Sequence, residues 1–122
     1  MAKRILLADD SPFWREQLRT ILEDGSDWTV FQATNGAEAL LKSGLVQPDA
    51  VILDACMPIL DGLAAARELK RVTPELPVFL VTVDKSRSLE LAAGRVGVPV
   101  FSKMEFLALR NLLSRAQVAT AA

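Results

Sequence analysis

Histidine is absent from the 122 residues, and cysteine occurs once, at Cys56. An intrachain disulfide is therefore impossible, and a reducing cytoplasm is the natural setting. The same scarcity removes the usual ligands of a zinc site. Charge of one sign is also lacking, since the formal net charge is −1, and nothing in that balance points to direct nucleic-acid binding. Long apolar runs are missing as well: Ala50–Leu53 and Pro77–Val81 have strand length, far below the ~20 residues of a membrane-spanning helix. The run Ile5–Ala8 after Lys3-Arg4 stops at Asp9, short of the roughly 7–15 residues of a secretory core, so no signal peptide is expected. With 51% hydrophobic residues the chain can fill one ordinary core, and residues 1–122 are expected to form a single domain.

Short apolar runs alternate with segments of helical period. Ile5–Ala8 ends at Asp9-Asp10, and Ser11-Pro12 then offers an N-cap followed by proline in the first turn. Trp14, Leu18, Ile21 and Leu22 share one helical face, and Gly25 lies just past it. Thr29–Ala33 reads as a second strand, which Trp28 opens, and Asn35 with Glu38 as a capped start for Ala37–Lys42. The third run, Ala50–Leu53, ends at Asp54; a turn through Met57-Pro58 and Asp61-Gly62 leads into a helix to about Arg71. A fourth run, Val78–Val81, ends at Thr82, and a helix over Ser86–Arg95 precedes a fifth, Val98–Ser102, ending at Lys103. The last helix aligns Phe106, Leu109, Leu113 and Ala116, giving a core of about residues 4–116, and Val118–Ala122 is expected to fray. Continuous apolar strands alternating with helices imply a parallel sheet buried on both faces, hence a doubly wound α/β fold with right-handed crossovers.

The Asp9-Asp10 pair, Asp54, Thr82 and Lys103 each fall at or just after the carboxyl end of a different strand. Ligands bind at that edge of open α/β sheets. Taken singly, each residue has a plain reading as a cap, a turn or a solvated charge, and Asp61 reads best as the N-cap of its helix. Together they form a pocket. Clustered carboxylates repel unless a cation intervenes, and an all-oxygen set with room for water suits Mg²⁺. An aspartate can attack phosphorus to give an aspartyl phosphate, while a metal, an ammonium and a hydroxyl neutralise the transferring oxygens.

The Asp9-Asp10 pair, Asp54 with Met57-Pro58 and Asp61-Gly62, then Thr82 and Lys103, resemble the CheY-like receiver domains of bacterial response regulators. The resemblance covers about Arg4 to Ala116. It implies a flavodoxin-like, five-stranded parallel sheet of order 2-1-3-4-5 flanked by five helices. It implies that Asp54 is the phosphoacceptor, supplied by the phosphohistidine of a sensor histidine kinase or phosphotransfer protein. Asp10 would hold Mg²⁺ directly and Asp9 mainly through water, with Asp54 and the backbone carbonyl of Cys56 completing the set. Lys103 would pair with the phosphoryl oxygens, and Thr82 would couple them to the face of the fourth helix, fifth strand and fifth helix, where a homodimer or a downstream target can dock.

The chain departs from that pattern in places. Val100 stands where many receivers carry an aromatic switch residue, and Phe101 beside it belongs to the opposite face of a strand. Met104 replaces a common proline, and with Ala64-Ala65-Ala66-Arg67 it brings the chain nearest to receivers of the NarL/FixJ type, without their output domain. Val83, with Cys56 and Asp84 beside the pocket, is expected to make the aspartyl phosphate long-lived. Cys56 reads as structural, Trp14 as a core residue, and Arg67, Lys70 and Arg71 as a solvated stripe. Two other functions fit the fold. A pseudo-receiver would dock or dimerise without phosphorylation; a small phosphohydrolase would want a second acid where Cys56 stands. The signalling switch ranks first.

Overall fold

The computed structural model describes residues 3–121, with side chains as far as residue 115. Five strands, β1 (Arg4–Ala8), β2 (Thr29–Ala33), β3 (Ala50–Asp54), β4 (Val78–Thr82) and β5 (Val100–Ser102), form one parallel sheet in the order β2-β1-β3-β4-β5. Helices α1 (Pro12–Glu23), α2 (Gly36–Val46), α3 (Gly62–Val72), α4 (Arg87–Gly94) and α5 (Phe106–Ala121) connect and close it.

The strand patterns follow from this order. β3 and β4 lie inside the sheet with a helical layer on either side, so all ten of their residues are buried. Edge strands β2 and β5 are mostly half-buried. Side chains alternate between two cores. Leu6, Val51, Leu53 and Leu80 pack with Ala39 of α2, Ala65 and Leu69 of α3 and Ala93 of α4. Ile5, Leu7, Ile52 and Val81 pack with Leu18 and Leu22 of α1 and with Phe106, Leu109 and Leu113 of α5. Burying one such leucine or isoleucine contributes roughly 1.5–3 kcal/mol, and these layers hold the sheet's carboxyl edge in place.

The caps at Ser11, Asn35 and Asp61 form as expected, each side chain accepting from the third residue on. Three boundaries differ from the sequence reading. α2 runs on to Val46, because Gly44 does not take the left-handed conformation that ends a helix and the stop is instead Gln47 (φ 52°), followed by Pro48. β5 begins at Val100 rather than Val98, since Pro99 has no N–H for the ladder and contributes only its carbonyl, to Leu80. Trp28 is buried immediately before β2, whose first residue is Thr29. Ala116 as a core residue and the fraying of Val118–Ala122 fall on side chains, and at Ala122 on a residue, outside those described.

Candidate functional site

Asp9 directly follows β1, Asp54 and Thr82 close β3 and β4, and Lys103 directly follows β5. Asp9 is fully buried; Asp54, Thr82 and Lys103 are 7%, 6% and 7% exposed. Asp10, by contrast, faces solvent. The sheet thus brings together the five residues expected from the sequence, with Asp10 at the rim.

Lys103 Nζ lies 2.6 Å from Asp9 Oδ2 and 3.6 Å from Asp54 Oδ2. Asp9 Oδ1 accepts the backbone N–H of Ser11 at 2.9 Å. Oδ2, however, receives no hydrogen bond of acceptable angle, so its contact with the ammonium is an ion pair with lone-pair capacity left over. Arg15 braces the same turn, donating to the Asp9 carbonyl at 2.8 Å and to Gln32 Oε1 at 3.1 Å. Thr82 Oγ1 stands 3.4 Å from the Asp84 N–H and 3.5 Å from the Asp84 carbonyl, contacts long enough to release the hydroxyl for another partner.

Burial first, and then the neighbouring Asp9 carboxylate, push the Asp54 pKa from 3.8 up to about 6, against the opposing pull of Lys103 and the Cys56 N–H. One ammonium does not neutralise this cluster. Carboxylate oxygens of Asp9, Asp10 and Asp54 all lie within 4.8 Å of one another. Hard oxygen donors, excess negative charge and an unsatisfied buried oxygen at Asp9 fit a divalent cation of the Mg²⁺ kind.

The loop after β3 is fixed by close backbone approach. Gly62 donates its N–H to the Ala55 carbonyl at 3.0 Å, and a Cβ there would overlap the Asp54 carbonyl oxygen. Gly36 donates likewise to Leu60 at 2.9 Å and leaves no room for a side chain. Between them the Leu60 N–H returns to Pro58 O at 2.7 Å around Ile59 at φ 69°, a tight turn rarely adopted by a β-branched residue. The Gly62→Ala variant is expected to displace the Asp54–Ala55 peptide and lose about 2–3 kcal/mol. Urea titration reads this loss; a parental midpoint would mean the loop yields without effect.

Sequence reasoning missed two features. Lys103 is paired with Asp9 in this resting geometry, and its Nζ lies 4.9 Å from the centroid of the Trp14 ring. Trp14, read as a core residue, is half-buried at the border of the α1/α5 core and the pocket. Val100 packs toward the α2/α3/α4 core, whereas Phe101 faces the other layer with its ring 6.3 Å from Phe79. Phe101 therefore does not stand in for an aromatic residue at position 100.

Comparison with known proteins agrees with this geometry. Residues 5–104 match the response regulator receiver domain family, and the chain belongs to it. It is 33% identical over 112 residues to the chemotaxis protein CheY of Bacillus subtilis, covering 92% of this chain and 93% of that one. It is 38% identical over 115 residues to response regulator MprA of Mycobacterium ulcerans, covering 94% of this chain but 49% of that protein. Among solved structures, the receiver domain of the response regulator NarL from Mycobacterium tuberculosis superposes with a TM-score of 0.79 at 27% identity, over 95% and 97% of the two chains. The chain spans about a quarter to a half of the length of the first curated relatives it matches. It is thus a receiver domain of two-component signalling, a switch of the class that meets histidine kinases or phosphotransfer proteins. No helix among the described residues is long and apolar enough to cross a membrane.

Proposed function

We propose that this receiver takes a phosphoryl group onto Asp54 in an Mg²⁺-dependent reaction, with a sensor histidine kinase or phosphotransfer protein as donor. The observation that carries the reading is the convergence of Asp9, Asp54, Thr82 and Lys103, all buried, with Asp10 at the rim of the same pocket. Asp10, Asp9 and Asp54, with the Cys56 carbonyl, would hold the cation. When bound, Mg²⁺ neutralises the carboxylates and the incoming phosphoryl oxygens. Asp54 is the nucleophile: its oxygen forms the new bond to phosphorus as the bond to the donor breaks. Lys103 turns from Asp9 toward a phosphoryl oxygen, and Thr82, anchored only by contacts of 3.4–3.5 Å, donates its hydroxyl to another.

Phosphorylation then shifts a population between two states of the loop after β4 and of the α4-β5-α5 face, which is the surface proposed for a downstream partner or a homodimer. The domain is proposed to act in the cytoplasm. The phosphorylation-independent docking role is disfavoured, because a module without that chemistry has no need of a buried lysine facing two acids.

Beryllofluoride with Mg²⁺ tests the reading by amide NMR. Saturable shifts at Asp54, Thr82 and Lys103 are expected, absent from Asp54→Asn; an unresponsive parent would sink it. Val83 is 61% exposed in the loop beside Thr82, and its side chain is proposed to screen the phosphoryl site from water. Val83→Ala is accordingly expected to hydrolyse its aspartyl phosphate a few-fold faster, and an unchanged decay would remove Val83 from that role.

A further inference from the structure

Three polar or polarisable walls surround the Lys103 ammonium: Asp9, Asp54 and the face of Trp14. The lysine side chain is 4% exposed. Trp14 is set there by the start of α1. Ser11, whose N–H is bound to Asp9, accepts the Trp14 N–H on its own hydroxyl at 3.3 Å. Phe13 then meets the indole edge-on, with centroids 5.5 Å apart and planes at 78°. A closed circuit therefore runs from Asp9 through the helix cap to Trp14, across to Lys103, and back to Asp9.

We infer that Trp14 is a positioning residue for Lys103, an aromatic wall on which the ammonium pivots between Asp9 and the phosphoryl group. The inference rests on the phosphorylation reading above. An aromatic face attracts a cation without a directional bond that must break as the cation turns. A carboxylate in the same place would compete with the phosphoryl oxygens, and an aliphatic side chain would attract nothing. The indole keeps the ammonium desolvated and near the pocket in both positions, so less ordering remains when the phosphoryl group arrives.

The test compares Trp14→Phe with Trp14→Leu, both apolar and only one aromatic. In the presence of Mg²⁺, Trp14→Leu is expected to bind beryllofluoride about five- to tenfold more weakly than the parent, as loss of a desolvated cation–π contact implies. Trp14→Phe should stay within about twofold of the parent, the smaller ring retaining most of that attraction. Equal losses in the two variants would make Trp14 a space-filler and overturn the inference. A second readout needs no phosphoryl mimic. With Trp28→Phe leaving Trp14 as the sole indole, Lys103→Met is expected to change the Trp14 emission of the resting protein. Unchanged emission would overturn the contact itself. Should the parent fail to bind beryllofluoride, the phosphorylation reading falls with the pivot built on it; the emission measurement then decides separately whether the resting contact exists.

Discussion

Replacing Asp54 with asparagine is expected to abolish phosphoryl uptake and, in metal-free buffer near pH 7, to make the protein more stable. The first effect is chemical, since an amide oxygen cannot form the acyl phosphate. The second follows from burial. Asp54 is pushed from 3.8 to about 6, so near neutrality the folded protein holds a carboxylate it would rather protonate. Between about pH 4 and 6 the native state binds more protons at this site than the unfolded chain, so this group's contribution to stability falls as pH rises and is flat above. A shift of two units corresponds to ~3 kcal/mol; solvent screening at the pocket mouth reduces the expected gain in Asp54→Asn to about 1–2 kcal/mol. Urea titrations in EDTA at pH 4 and pH 7 measure it. The variant should gain at pH 7 and little at pH 4, and Mg²⁺ should narrow the difference. A variant less stable than the parent at pH 7 would contradict the electrostatic account.

The Lys103→Met variant should show the opposite balance. Asp9 is wholly buried, and without the ammonium its Oδ2 loses the cation 2.6 Å away while Asp54 loses the charge that opposes Asp9. Breaking a buried pair by removing one partner costs about 3–5 kcal/mol, so the metal-free variant should melt well below the parent. Mg²⁺ should restore part of the loss and bind more tightly than to the parent, because lysine and metal compete for the same carboxylates. Phosphorylation by a small acyl phosphate should slow about 100-fold even at saturating Mg²⁺, the usual effect of removing one stabiliser of the transferring oxygens. Parental rates would exclude Lys103 from the chemistry. Parental stability would mean that the 2.6 Å pair with Asp9 contributes nothing.

Much of this architecture was legible because central parallel strands announce themselves as unbroken apolar runs. Ala50–Leu53 and Val78–Val81 have no other economical reading, and each is followed directly by a residue of the pocket, Asp54 and Thr82. The N-caps were equally local, since Ser11, Asn35 and Asp61 bind groups three residues away. Boundaries set by tertiary context were harder. Nothing local shows that Gly44 continues α2 into solvent, and Pro99 shortens β5 through a ladder whose partner, Leu80, is remote in sequence. The acids, threonine and lysine could be grouped from strand ends alone. Their pairing could not, because whether Lys103 lies closer to Asp9 than to Asp54 depends on the depth of each side chain. Trp14 over Lys103 was hidden for the same reason: its helical spacing reported only that one side meets a core.

The central claim, that Asp54 receives the phosphoryl group, is tested most directly by trapping the acyl phosphate. After incubation with acetyl phosphate and Mg²⁺, borohydride reduction converts a phosphorylated aspartate to homoserine, which mass spectrometry of the peptides then locates. Homoserine at position 54, dependent on Mg²⁺ and lost in Asp54→Asn, is the predicted result. Homoserine at position 9, 10 or 61 instead, or at no position, would contradict the account.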